Sequence, residues 1–256
     1  MNRRATHPWQ QRADVVLLVI VAVLLWQGIY RVAGASALSS PLETAATLLG
    51  LLRSPIFLTH LRATGSALAL SFALTIVLGL PLGLALGLRR FAGEVFEPVL
   101  ASLYTIPKVT LYPVVLALFG LGLGAKVAFG VMHGIIPVVL ITLNAVRAIP
   151  PVHIKTARVL RLTPWQVATA ILLPAILPEL CTALRVGFSL TLLGVLVGEM
   201  FASQRGLGFL LIKGITTFDV STSIAITVLI IAFGAASGAL LLALDRRLHR
   251  RISHPA

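Results

Sequence analysis

Four ionisable residues lie in or beside apolar runs, where a charge is costly: Lys108, Glu179, Arg185 and Glu199. A charge at mid-bilayer costs at least about 2.5–3.5 kcal/mol on insertion scales, so such groups usually face protein or water. Glu179 sits at the edge of its run and reads as an interfacial carboxylate. Arg185 lies about 9 Å further along a helix, where it either snorkels to headgroups or faces a solute path. Glu199, near the far end of the same run, suits helix packing, gating or solute contact. Lys108 is bracketed by Pro107 and Pro113, the mark of a kinked helix whose freed carbonyls need neighbours or water. Pro107, Lys108, Arg185 and Glu199 are the candidate lining of a translocation pathway. None of them forms a catalytic pair.

Enzyme patterns are missing. No G-x4-G-K-[ST] phosphate loop occurs; GLGLGAK at 120–126 places Ala125 where the second glycine belongs. HExxH and GxSxG are absent, the six histidines are scattered, and Cys181 is the single cysteine. The chain is expected to bind no metal or cofactor and to catalyse nothing by itself.

The elements that carry these residues are membrane spans. Of 256 residues 58% are hydrophobic and 11% charged, against roughly 25% charged in a soluble domain. The net charge of +13 suggests nucleic acid only until position is considered. The basic residues flank apolar runs, where they set topology and meet anionic headgroups. At about 20 apolar residues per helix, six spans emerge: 14–33, 64–88, 99–120, 125–147, 179–202 and 222–245. The fold class is therefore an all-α polytopic membrane protein. The run from Val15 continues to Ala33, long for a cleavable signal, and is expected to stay as the first span.

The second span carries Gly79, Gly83 and Gly87, four apart on one face, the pattern of close helix packing. The loop from Gly34 to Arg62 contains Ser40-Pro41-Leu42-Glu43, a capping box that starts a short surface helix. With the N-terminus inside, thirteen of the 21 Lys and Arg face the cytoplasm. Six lie outside (Arg31, Arg53, Arg62, Lys126, Arg205, Lys213), and Lys108 and Arg185 fall within spans. By the positive-inside rule both termini are cytoplasmic.

Between the fourth and fifth spans lies a basic island, 146–178, on the same side. Pro150-Pro151 can start a short helix. Thr163, Pro164 and Gln166 form a second start, an N-cap followed by a capping-box glutamine. Pro174 and Pro178 are expected to stop that second helix. Two short helices anchored by spans on both sides make a docking element.

This island resembles the cytoplasmic loop of permease subunits in bacterial binding-protein-dependent ABC importers, whose signature reads E-A-A-x3-G-x9-I-x-L-P. Ala157, Ile171, Leu173 and Pro174 agree with it, while Lys155, Thr156 and Arg161 replace its glutamate, first alanine and glycine. The stretches 79–90, 103–122, 183–203 and 205–211 are similar to the nitrate/sulfonate/taurine branch. The resemblance implies an N-terminal segment with the first span (1–37), a permease domain (38–250) and a cytoplasmic tail (251–256). It implies a type I importer permease in the bacterial inner membrane, built around a coupling helix at about 151–162. That helix docks on a separate ATPase, which uses the ATP and is present in two copies. A second permease copy and a periplasmic or lipid-anchored solute-binding protein complete the system. The implied solute is a small anion such as a sulfonate, taurine or nitrate, with a vitamin precursor such as a pyrimidine as the alternative. Arg158 and Arg161, three apart on one helix face, suit acidic groups on the ATPase. A glycine at 161 would allow a left-handed turn. Arginine there predicts a different helix end and a dedicated ATPase. The competing classes are a stand-alone secondary transporter and, less favoured, a membrane-embedded lipid enzyme.

Overall fold

The computed structural model describes residues 8–252, with side chains at 14–243 apart from 154, 158, 164 and 202. Arg3, Arg4, the end of the C-terminal tail and the side chains of Arg158 and Arg246–Arg251 lie outside the described residues. Among those residues every regular element is helical. The helices are α1 (Pro8–Ala33), α2 (Pro41–Leu52), α3 (Pro55–Leu88), α4 (Arg90–Thr105), α5 (Tyr112–Phe119), α6 (Leu123–Arg147), α7 (Pro151–Val159), α8 (Pro164–Gln166), α9 (Leu173–Ala202), α10 (Leu207–Thr216) and α11 (Val220–Ile252). Five are long and apolar enough to cross a membrane, and a bent pair brings the number to six.

The chain divides into two compact units, one of Met1–Leu58 with Leu210–Leu229 and one of Thr59–Phe209 with Ile230–Ala256. In the first, α1 turns its apolar side chains outward along its length, as a lipid-facing span does. It ends at Gly34, whose φ of +81° favours glycine. Trp26 Nε1 then donates to the Ser39 carbonyl at 3.0 Å, fixing the exit of the chain. The expected capping box is in place: Glu43 N–H donates to Ser40 Oγ at 3.2 Å and Ser40 N–H to Glu43 Oε2 at 3.0 Å.

The second unit is built on α6 and α9, which pack along their lengths. A Cβ at Gly83 would come within 2.8 Å of the Val139 carbonyl, and one at Gly87 within 2.7 Å of Val146 Cβ. Gly79 lies on the same line against Val138. The stripe lets the α3 backbone rest on α6, the close approach that small residues permit in membranes. At the loop end of this pair, Ala145, Val146, Leu172, Ile176 and Leu180 form a buried apolar cluster.

Four expectations need correction. The expected span 99–120 is two helices bent by 85°. Pro107 forces the preceding Ile106 out of the helical region to ψ 129°, and Pro113 starts α5 afresh. Lys108 thus lies in a 3-10 turn (Lys108–Leu111) at the break, outside any continuous span. The second span begins at Pro55 rather than 64, so the Gly34–Arg62 loop is shorter than expected. The polar run Thr59–Arg62 hid this start, yet His60 turns inward and is buried.

The helix opened by Thr163 is not stopped by Pro174 or Pro178. A π turn at Val167–Leu172, with Leu173 N–H donating to the Ala168 carbonyl, widens the helix and carries it into α9. A widened turn absorbs the missing donor of Pro174 without ending the helix. The candidate span accordingly runs from Val167 to Phe201.

Finally, α7 ends at Arg161 in the left-handed conformation that the arginine was expected to forbid, with φ +51°. Leu162 N–H donates to the Ala157 carbonyl at 3.0 Å, the 6→1 bond of a Schellman end. Closing this bond, and burying Ala157, outweighs the local strain. The physical basis for a dedicated ATPase falls with the expected different ending.

Candidate functional site

Two sites stand at opposite ends of the helix that runs from Pro164 to Ala202. At its C-terminal end Glu199 is fully buried. Thr64 Oγ1, from α3, donates to this carboxylate and lies 3.0 and 2.8 Å from its two oxygens. Lys126, from the first turns of α6, places Nζ 3.4 Å from Oε1 and is itself 4% exposed. Gly208 N–H donates to Oε2 at 3.0 Å. One carboxylate therefore ties α9 to α3, α6 and α10.

The turn between α9 and α10 is held by the same groups. Leu207 N–H donates to Thr64 Oγ1 at 2.8 Å, and Gly206 N–H to His60 Nδ1 at 3.0 Å. Lys126 Nζ also donates to the Arg205 carbonyl. Gly206 has φ +131°, and a Cβ there would overlap the Glu199 carboxylate, so only glycine fits. A buried charge is tolerable only with such pairing and saturation.

Beside this knot opens a cavity of about 630 Å³. Its wall combines Lys126, Arg205, Gln204, Ser203 and Ser66 with Phe201, Leu121 and Leu123. By sequence Lys126 counts among the outside charges, at the edge of the 125–147 span; it is a buried helical partner of Glu199. Thr64, His60 and Lys126 were missed as a set because they come from segments distant in sequence. The signal was present only as polar residues at the edges of apolar runs.

The other pathway candidates do not converge. Pro107 is exposed at the α4–α5 break. Lys108 Nζ donates to the Tyr104 carbonyl at 3.2 Å and sits 4.7 Å over the Tyr104 ring. Arg185 is half-buried on α9. Among the described residues no ion pair or hydrogen bond joins Lys108 or Arg185 to Glu199. Glu179 is exposed.

At the opposite end, the segment 151–166 presents a different surface. Val152, Val159, Leu160 and Trp165 are exposed, Trp165 to 76%. Lys155, Thr156 and Arg161 are exposed as well, whereas Ala157 is buried. Ile171 is half-buried, and Leu173 and Pro174 are exposed on the π turn and the start of α9. Thr163 N–H donates to Gln166 Oε1 at 2.8 Å and Gln166 N–H to Thr163 Oγ1 at 3.3 Å, which closes the second capping box. Just before the segment, Arg147 is pinned by Glu97 Oε2 at 2.6 Å and the Arg90 carbonyl at 3.0 Å. The segment thus springs from a fixed root.

The family model "Binding-protein-dependent transport system inner membrane component" matches residues 75–254, which includes the loop and both its flanking helices. The riboflavin transport system permease RibX of Chloroflexus aurantiacus is 36% identical over 79% of this chain and 76% of its own length. The putative aliphatic sulfonates transport permease SsuC of Bacillus subtilis is 26% identical over 77% and 72%. A solved structure of the MetNI methionine ABC transporter, inward facing, shares the fold with a TM-score of 0.66 at 20% identity, covering 76% of this chain and 98% of the matched chain. The chain belongs to the binding-protein-dependent inner membrane components, the multi-pass permease subunits of ABC importers, a transport family rather than an enzyme family.

Proposed function

We propose that this permease forms the solute pathway of an ATP-driven importer and that its 151–166 segment docks on a separate ATPase. The observation that carries the reading is the loop itself. It is a short helix with exposed Val152 and Val159, fixed at its root by Arg147 and followed by exposed Leu160 and Trp165. Exposed aromatic and aliphatic anchors beside basic residues suit a protein partner better than solvent. Both termini lie in the cytoplasm, on the side of this loop. Residues 1–37 supply an additional first span, 38–250 the permease domain and 251–256 the tail. Two copies of the chain pair with two ATPases, which use the ATP, and a solute-binding protein delivers cargo.

The solute in this reading is a small anion such as a sulfonate, taurine or nitrate; the match to SsuC supports it. A vitamin-type solute is the second reading, favoured by the match to RibX. The stand-alone transporter and the lipid enzyme give way to the family assignment.

Mild purification of the tagged chain from its native membranes, followed by mass spectrometry, tests the docking. An ATPase subunit is expected to co-purify and to crosslink through Val159→Cys, a position 81% exposed. Recovery of the chain alone, with no crosslink at that position, overturns the reading.

A further inference from the structure

We propose that the cavity between α6 and the α9–α10 turn holds the anionic head of an organic solute, with Arg205 as its cation. This rests on the importer reading and narrows its substrate class. The cavity wall carries two basic side chains that are not equivalent. The Lys126 ammonium is already spent on Glu199 and the Arg205 carbonyl. The Arg205 guanidinium has no acidic partner within 4.0 Å among the described residues. It is the cation available to a ligand.

The backbone of Arg205 is held from both sides. Its N–H donates to Ser203 Oγ at 3.1 Å, and its carbonyl accepts from Ser203 Oγ at 2.6 Å and from Lys126. The next residue, Gly206, is fixed by His60. The buried knot around Glu199 therefore fixes the backbone from which the exposed Arg205 side chain reaches the cavity wall. The guanidinium fork matches the paired oxygens of a carboxylate or sulfonate.

Size and apolar wall decide between anions. A cavity of about 630 Å³ falls in the range that accommodates organic ligands. A bare inorganic oxyanion would touch one wall and leave the rest to water. Phe201 and Leu121, exposed to 57% and 80%, add apolar surface to the same cavity wall. The geometry suits an organic anion with an apolar body, such as an alkyl sulfonate, over nitrate and over a neutral heterocycle.

The full chain in nanodiscs is titrated with pentane-1-sulfonate, methanesulfonate, nitrate and riboflavin, following the thermal unfolding midpoint. Pentane-1-sulfonate is expected to stabilise saturably, and nitrate at least tenfold more weakly. Arg205→Gln is expected to weaken pentane-1-sulfonate at least tenfold, and Arg205→Lys, which keeps the charge but not the fork, several-fold. Phe201→Ala is expected to weaken pentane-1-sulfonate while leaving methanesulfonate unchanged. No saturable effect, equal binding of nitrate, riboflavin as the sole stabilising probe, or unaltered affinity in the Arg205 variants overturns the proposal. If Arg205→Gln does not fold, Arg205→Lys and Phe201→Ala decide. Failure of the importer reading shows up separately, as a chain that recovers no ATPase.

Discussion

The two ends of the helix from Pro164 to Ala202 solve opposite problems. Around Glu199 the polar groups are buried and matched to one another: a carboxylate, an ammonium, a hydroxyl and two backbone N–H groups. Around Trp165 apolar side chains stand exposed, beside a backbone residue held in a sparsely populated conformation. The first arrangement stabilises the chain from within and leaves nothing for a partner to satisfy. The second is stable as drawn only by local caps and gains most from a covering surface. Substitutions within the buried knot should therefore report on folding, and those around Trp165 on assembly.

The largest effect is expected at the knot. Glu199→Ala leaves the Lys126 ammonium buried without a counter-charge, a loss of about 3–5 kcal/mol. The measured consequence is a collapsed thermal midpoint and loss of the monodisperse peak in detergent. Lys126→Met with Glu199→Met together should recover part of that stability, because no unpaired charge stays buried, while the Gly208 N–H still loses its acceptor. If the single substitution is silent, the Glu199 end does not stabilise the chain from within and the two ends do not differ.

The α3–α6 contact comes next. Gly83→Ala places a methyl against both the Val139 carbonyl and Thr142 Cβ. Separating or bending the helices costs about 1–3 kcal/mol. Gly65→Ala on the same helix meets open space and is the control, with a midpoint no lower than that of the parent expected, since alanine suits a helix interior better than glycine.

Trp165→Ala sharpens the contrast from the other side. Its ring is exposed, so the thermal midpoint of the isolated chain should hold. Recovery of the proposed ATPase should fall about tenfold, about 1.4 kcal/mol, as when an interface anchor is truncated. A lowered midpoint with undiminished ATPase recovery would reverse the assignment of the two ends.

How far the sequence foretold each end follows the range of the interactions. Both capping boxes were readable, because Ser40–Glu43 and Thr163–Gln166 are four-residue signals whose partners are local. The glycine stripe was readable for the same reason: spacing four along one helix implies one face. The knot was not. Lys126 and Glu199 are 73 residues apart, and Lys126 sits where an apolar run begins, just as a loop charge does. Pro107 announced a kink, but its 85° size depends on Pro113 restarting a separate helix. Pro174 read as a stop because the π turn that accommodates it is fixed by packing of Leu172 and Ile176 under α6. Such packing has no signature within a ten-residue window.

The smallest predicted effect separates stability from assembly at a single residue. Arg161 occupies the left-handed region at φ +51°, where a side chain costs about 1–2 kcal/mol. Glycine removes that strain but makes the unfolded chain freer by roughly 0.5–1 kcal/mol. Arg161→Gly should therefore strengthen the end of α7 by about 0.5–1 kcal/mol net, visible as slower amide exchange at Leu162, the donor of the closing bond. The same substitution removes an exposed cation from the proposed docking face. Slower exchange together with poorer ATPase recovery would mean that the arginine is retained for contact at the expense of local stability. Slower exchange with unchanged recovery would leave the docking to the apolar anchors, Trp165 foremost. Faster exchange would show that the aliphatic stem of Arg161 supports the turn, and the strain argument would fail.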